Sequence, residues 1–412
     1  MRSALLLFII GGGAMWALAH PYIGMLLWTW ISIMNPHRYT WGASEYPVAA
    51  IIAGATLLGL LLTKDRRQFF ISAPSGLLIL FMLWVCITYP FSFSTEGSLN
   101  MLTRVLKIDF MILVALVVLY TRRHVNLLVW VLVLSLGFYG VKGGLFTLAT
   151  GGSHRVWGPP ESFIEGNNEL ALALIMTIPL MYYLRDQTRM VWQRHAWLAA
   201  MALMAIAAIG SQSRGALLAF VAMLALLWMR GKQKWLFGTL VVGGGLLLLA
   251  FMPEQWHERM ASIGTYQEDS SAQGRINAWW MAWNLAGDKF FGGGFDIYNL
   301  VTFFAYAPNP DAVHAAHSIY FQVLGEHGFV GLAIFLLMWG VTWRSAGWLR
   351  KNAKDDPDTE WAATLGGMCQ VSLIGYAVGG AFLSLAYFDL PYNILILVVI
   401  TRRWVEQRKA VQ

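Results

Sequence analysis

The sequence predicts an all-α, polytopic membrane protein with about twelve transmembrane helices and one long loop on the outer side. Three observations lead there. Hydrophobic residues make up 58 % of the 412 residues and charged residues only 12 %, about half the charged share of a soluble domain. Apolar runs of membrane-spanning length recur along the whole chain. Lys and Arg cluster between alternate runs, as the positive-inside rule requires. A soluble enzyme, a disordered chain and a small secreted scaffold are all excluded.

Taken in order, Ala4–Ala19 and Tyr22–Met34 are each short for a full span, and His20-Pro21 separates them. They read as one broken pass, two half-helices hinged at the proline. No small-residue cleavage site follows, so no cleaved signal peptide is expected. Spans then fall near 47–63, 76–92, 105–121, 125–148, 168–184, 195–210, 215–229, 235–252, 319–343, 363–388 and 391–404. Three regions result: transmembrane helices over 1–252, a long loop with amphipathic helices over 253–318, and C-terminal transmembrane helices over 319–412.

Orientation follows from the short loops. One set carries Lys64, Arg66 and Arg67, Arg122 and Arg123, and Arg185, Arg189 and Arg194. It continues with Arg230, Lys232 and Lys234, then Arg344, Arg350, Lys351 and Lys354, then Arg402, Arg403, Arg408 and Lys409. With Arg2 these are twenty of the 29 basic residues. That face is expected to be cytoplasmic, with both termini inside. The net charge of +7 is thereby spent on topology and gives no reason to expect nucleic acid. Nine basic residues run against the rule: Arg38, Arg104, Lys107, Lys142, Arg155, Arg214, Arg259, Arg275 and Lys289. A cluster of them facing one cavity would make an anion site.

Residues 253–318 far exceed what a connector needs. Arg275–Leu285 places Trp279, Trp280 and Trp283 at helical spacing, an amphipathic pattern suited to the membrane surface. Gly292-Gly293-Gly294 then forms a flexible turn, and the segment ends in His314-Ala315-Ala316-His317-Ser318. A second polar outer loop, 149–167, carries Arg155, Glu161, Glu165 and Asn167.

His317 stands where a span emerges, and a histidine titrating near neutrality can take a proton from an attacking hydroxyl. His314, three residues away, would share its face on one helical turn, and a metal site would need more ligands. Glu268, Asp269 and Asp311 have no metal-ligand spacing. Cys86 and Cys369 both lie in apolar segments and define neither a disulfide framework nor a metal site. Arg214, in SQSRGALLAF, sits at a membrane edge, where an arginine is costly unless paired. Arg275 opens the Trp-rich helix. Arginine grips phosphate oxygens with two parallel hydrogen bonds. Two arginines and a histidine on one membrane face point to a phosphate-bearing, membrane-embedded substrate. No Walker motif, dinucleotide fingerprint or helical metalloprotease motif is present. Asp356-Pro357-Asp358 reads as a solvated inner loop.

Four segments resemble the O-antigen ligase superfamily, which includes O-antigen polymerases and bacterial protein O-oligosaccharyltransferases. SQSRGALLAF is similar to its Ser-x-Ser-Arg-Gly-Ala stretch and GRINAWWMAW to its Arg-then-Trp stretch. GGGFDIYN is similar to the following glycine-rich turn, and HSIYFQVLGEHGFVGL to a His-Asn-x-Tyr/Phe-Leu pattern ending in Glu-x-Gly-x-x-Gly. GPPESFIEGNNELALAL is a weaker fifth match. One departure is Ser318, where the family usually has Asn. The opening PYIGMLLWTWISIMNPHRYTWG looks like a branch linked to exopolysaccharide and protein-sorting systems.

The resemblance implies a GT-C-type, metal- and cofactor-independent glycosyltransferase in the bacterial inner membrane, its active site facing the periplasm. The donor would be a glycan on undecaprenyl diphosphate and the acceptor a lipid A–core hydroxyl. His317 would be general base, and Arg214 and Arg275 would hold the diphosphate. His314, Arg155, Lys142 and Asn167 are accessory candidates. The same chemistry on a growing polymer or a protein Ser/Thr is the nearer alternative. A transporter is the distant one, since only Lys142 and the His20-Pro21 break favour it.

Overall fold

The computed structural model describes residues 2–40, 42–63, 70–231, 234–261 and 270–410. Lys64, Arg66, Arg67, Lys232, Glu268 and Asp269, and the side chain of Arg259, lie outside the described residues. The described chain is helical, with no strand. The helices are α1 (Arg2–Ala19), α2 (Pro21–Met34), α3 (Val48–Leu62), α4 (Ala73–Thr88), α5 (Thr95–Val118), α6 (Arg122–Ala149), α7 (Asn167–Gln187) and α8 (Val191–Gly210). They continue with α9 (Arg214–Arg230), α10 (Lys234–Phe251), α11 (Glu254–Ala261), α12 (Ser270–Asp288), α13 (Leu300–Tyr306), α14 (Ile319–Asn352), α15 (Glu360–Gly380) and α16 (Asp389–Lys409).

Local sequence sets many of the starts. Ser72 and Ser75 form a reciprocal cap on α4, with Pro74 in the first turn. Ser94, Thr121, Ser213 and Asn299 each accept a backbone N–H at the start of α5, α6, α9 and α13. Burial then sorts the helices. Every residue of α16 from Asp389 to Ile400 is buried, and α15 and α7 are nearly as enclosed. An apolar helix with no exposed face belongs at the centre of a bundle. The periphery is inverted: Phe8 and Leu61 are 78 % and 72 % exposed. Apolar side chains facing outward around a bundle are what lipid contact requires. Among the described residues five helices are long and apolar enough to cross a membrane: α1, α4 with its short extension to Phe91, α6, α14 and α15. The apolar α2 and α3 are shorter.

The structure corrects the reading of the first 34 residues. α1 and α2 are not end-to-end halves of one pass. A Cβ at Gly13 would meet Leu27, and one at Gly24 would meet Ala17, so the helices fold back on each other about His20-Pro21. Tyr22 stacks on His124 at the start of α6, 4.5 Å between centroids, which puts this turn at the Lys/Arg-rich end. The N-terminal end of α1 therefore lies at the opposite end from the Lys/Arg-rich loops, and the expectation of both termini on one face does not hold. The proline starts a new helix rather than hinging one. Two boundaries also move. α5 begins at Thr95, so its first turns carry polar residues, and α15 stops at Gly380, leaving 381–388 as a buried non-helical link into α16.

Candidate functional site

The end opposite the Lys/Arg-rich loops gathers the starts of α7, α9 and α14 and the whole of α12. The segment before α14 is held from α12. Trp279 donates its indole N–H to the Ala316 carbonyl at 2.7 Å and stacks on Phe321, 5.0 Å between centroids. Asn277 donates to the carbonyls of Asn309 and Ala312 and accepts the Asn309 N–H at 2.9 Å. With Ala316 fixed, the chain must turn sharply into α14, and His317 takes a left-handed conformation, φ +42°. A non-glycine residue there is strained, and such strain gathers at functional sites. Trp280 and Trp283 face outward, about half exposed, as the amphipathic pattern requires. Trp279 departs from it: one residue turns a helix by about 100°, so it points inward.

His317 is mostly buried, and its Nδ1 has no hydrogen-bond partner. Burial, then the Arg275 charge, then His314 push its pKa from 6.5 down to about 4. The imidazole is therefore neutral at pH 7 and able to accept a proton. His314 lies 6.1 Å away, ring to ring, and lines a neighbouring cavity of about 610 Å³ with Gly274, Asn277 and Trp280. The charge of Arg275 acts on both His317 and Glu169, which places it between α14 and the first turn of α7.

The α8–α9 turn joins the same locus. Asn167 donates to the Ser211 carbonyl at 2.7 Å. Gln212, in a left-handed conformation at φ +58°, accepts from Arg155 Nε at 3.3 Å and donates to the Gly152 carbonyl. Ser213 caps α9, and Arg214 is its first helical residue. A cation at a helix N-terminus opposes the macrodipole, so Arg214 does not stabilise the helix it opens. Arg214 beside the N-terminus of α9 instead suits an anion from outside. Two close approaches tie this turn to α14. A Cβ at Gly215 would meet Phe382, and one at Gly380 would meet Ile319.

The Glu-x-Gly-x-x-Gly run is architectural. α14 breaks at Gly328, φ +70° and ψ −176°. The break exposes backbone groups that Gly292–Gly294 engage: Gly293 N–H donates to Gly325 O at 2.9 Å and Gly294 N–H to Glu326 O at 3.0 Å. A Cβ on Gly328 would lie 2.2 Å from the Phe290 carbonyl oxygen. Glu326 is buried and accepts from Tyr387 at 2.5 Å. Ser318 is buried at the α14 N-cap with no side-chain cap bond.

His317, His314, Arg275, Arg214, Arg155 and Asn167 thus share one locus. Lys142 does not join them: it is exposed on α6, and no contact linking the cluster includes it. Asp311 is exposed in the loop before His314. Among the described residues no group of three His, Cys, Asp or Glu could hold a metal ion. Glu169, Gln212 and Trp279 were not singled out as site residues. Only Glu169 carried a sequence signal, since it directly follows the Asn-Asn pair.

The fold is all-helical among the described residues and consistent with a multi-pass membrane protein, and a histidine and arginines gather at one end of the bundle. Residues 199–336, which carry Arg214, Arg275 and His317, match the family described as O-Antigen ligase. That match, over about a third of the chain, supports a likeness to the O-antigen ligase superfamily, whose members are ligases and polymerases of glycosyltransferase type. Residues 1–189 match a separate family of unknown function (DUF5935). No curated protein matches the chain.

Proposed function

We propose that this protein is an O-antigen ligase of about twelve spans and GT-C type, in the bacterial inner membrane with its cleft facing the periplasm. It transfers a glycan from undecaprenyl diphosphate to a lipid A–core hydroxyl. The observation that carries the reading is the neutral, strained His317 under the charge of Arg275.

The acceptor oxygen attacks the anomeric carbon while a ring nitrogen of His317 takes its proton. The bond from that carbon to the diphosphate oxygen breaks, and the oxygen keeps the electron pair. Arg214 and Arg275 stabilise the charge that builds there. Attack opposite the leaving group inverts the anomeric centre. The arginines supply the positive charge, so no metal is required. Before the donor binds, Glu169 partly balances Arg275. The diphosphate replaces that partner and, as an anion beside His317, strengthens the base when it is needed.

The polymerase and protein O-oligosaccharyltransferase readings use the same chemistry. Another acceptor is favoured by one observation, the opening PYIGMLLWTWISIMNPHRYTWG, which resembles a branch linked to exopolysaccharide and protein-sorting systems. The test is transfer by purified protein from a lipid-linked glycan to lipid A–core, to protein and to free repeat units, in excess EDTA. Transfer to lipid A–core, lost in His317→Ala at normal insertion and weakened less in His314→Ala, is the expected result. Near wild-type transfer by His317→Ala removes the general base. A dead His314→Ala with an active His317→Ala moves that role to His314. Loss in EDTA restored by magnesium or manganese overturns the metal-free mechanism. Transfer only to protein or repeat units overturns the ligase assignment.

A further inference from the structure

Three of the nine basic residues that defy the positive-inside rule gather away from the His317 locus. Arg38, Arg104 and Lys107 line a separate cavity of about 1260 Å³ at the outer end, between α2, α3, α5, loop residues 161–165 and the start of α16. Nearly all of it is built from the stretch that matches a family of unknown function.

Its wall changes character with depth. On α5, Asn100, Thr103, Arg104 and Lys107 share one helical face at the mouth, and Met111 continues that face as apolar. On α3, Ala50, Ala53, Gly54 and Leu57 form the opposite side. A Cβ added at Gly54 would meet nothing within 4 Å, so the slot is open there. From Pro47 to Leu57 the helix descends about 15 Å, half of a hydrocarbon core of about 30 Å. The slot is one leaflet deep, with its charged mouth at the interface.

The carboxylates at the mouth are mostly engaged. Glu161 pairs with Arg38, Glu165 accepts the Glu161 N–H at 2.8 Å, and Asp389 accepts from Ser32. Glu45 is exposed at the rim. Arg104 lies over the Phe163 ring, 3.9 Å to its centroid, and Lys107 has no ion-pair partner among the described residues. Hydroxyl, amide and aromatic groups line the same cavity, Tyr46, Ser44 and Asn35 among them.

We infer that this cavity binds a lipid of the outer leaflet through an anionic, hydroxylated headgroup. Arg104 and Lys107 face the headgroup's negative charge, and the α3–α5 slot takes an apolar chain. The site shares no residue with the His317 locus. Loop 149–167 touches both regions, through Arg155 at the cleft and Glu161 and Phe163 here.

The test is lipid retention by the full-length protein in nanodiscs of phosphatidylglycerol and phosphatidylcholine with matched chains, read by native mass spectrometry. Wild type should retain phosphatidylglycerol preferentially. Lys107→Ala should lower that preference about fivefold, the worth of one basic residue near an anionic headgroup. Gly54→Phe fills open space and should abolish retention at unchanged thermal stability. Glycerol 3-phosphate alone should fail to displace the lipid. Equal retention of both lipids by wild type, or unchanged retention in both variants, overturns the inference. Displacement by glycerol 3-phosphate as effective as by lipid overturns the lipid assignment and leaves a site for free anions. A Gly54→Phe protein that unfolds leaves Lys107→Ala to decide.

Discussion

The acid limb of the pH–rate profile tests the base directly. An unperturbed histidine is roughly 90 % protonated at about pH 5.5. His317, held near 4 by burial, Arg275 and His314, is still almost wholly neutral there. Under the proposed mechanism, kcat/KM should therefore stay nearly flat between pH 7 and about 5.5, where an ordinary base would lose about tenfold. The fall should come near 4. Arg275→Gln removes one of the three causes, so its acid limb should move up in pH, beyond any loss of rate. The same depression makes the fold acid-sensitive. The folded protein binds the proton less well than the unfolded chain, so the contribution is complete above about 6.5 and is lost as pH falls toward 4. It amounts to about 3 kcal/mol at full protonation. The assay is initial transfer rate at limiting donor, pH 4 to 8, with thermal unfolding measured in parallel. A wild-type kcat/KM limb at pH 6 to 7, unmoved in Arg275→Gln, would refute the reasoning, because His317 would then behave as a solvated side chain.

Arg214→Lys and Arg275→Lys should each keep the charge but lose the bidentate fork, costing about 3 kcal/mol or roughly a hundredfold in donor turnover; full turnover in both variants would remove the diphosphate clamp. Gly328→Ala should destabilise the protein by more than about 2 kcal/mol, since φ is +70° and the methyl would meet the Phe290 carbonyl; an unchanged melting temperature would show that the break in α14 is dispensable. Trp279→Phe keeps an aromatic ring against Phe321 but leaves the Ala316 carbonyl without its donor, about 1–3 kcal/mol for a buried group. It should lower kcat more than donor affinity, and a change confined to KM would show that Trp279 does not position His317.

The residues proposed to carry the chemistry stand out in the sequence because they are unusual residues in unusual places. Arg214, Arg275 and His317 violate either the positive-inside rule or the economy of a short loop, and the sequence displays both. Their supports were not legible. Trp279 looked like one of three interfacial tryptophans, and only its phase on α12 turns it toward Ala316. Gln212 acts through a left-handed backbone that no residue-type preference signals. Glu169 meets Arg275 across a hundred residues of chain. The N-terminal hairpin was misread for a related reason. A proline after a histidine marks either a kink or a new start, and only Gly13 against Leu27 and Gly24 against Ala17 decide which.

That hairpin has a consequence for how the two matched stretches divide their work. Folding α1 back along α2 and α3 braces the wall of the N-terminal cavity from outside, with Gly59 of α3 packed on the Ala17 backbone. A single broken pass would have left α3 without that support. The cleft, by contrast, draws its geometry from α9, α12, α14 and α15, none of which lies in residues 1–189. One loop and the first turn of α7 connect the two: Arg155 and Asn167 hold the turn before Arg214, while Glu161 and Phe163 close the cavity around Arg38 and Arg104. A ligand that pulls Arg38 from Glu161 would act on the segment that fixes the Gln212 backbone. Coupling of that kind is reciprocal in binding free energy. Occupancy of the lipid cavity and occupancy of the cleft should therefore shift each other's affinity by the same factor, whatever acceptor the enzyme uses.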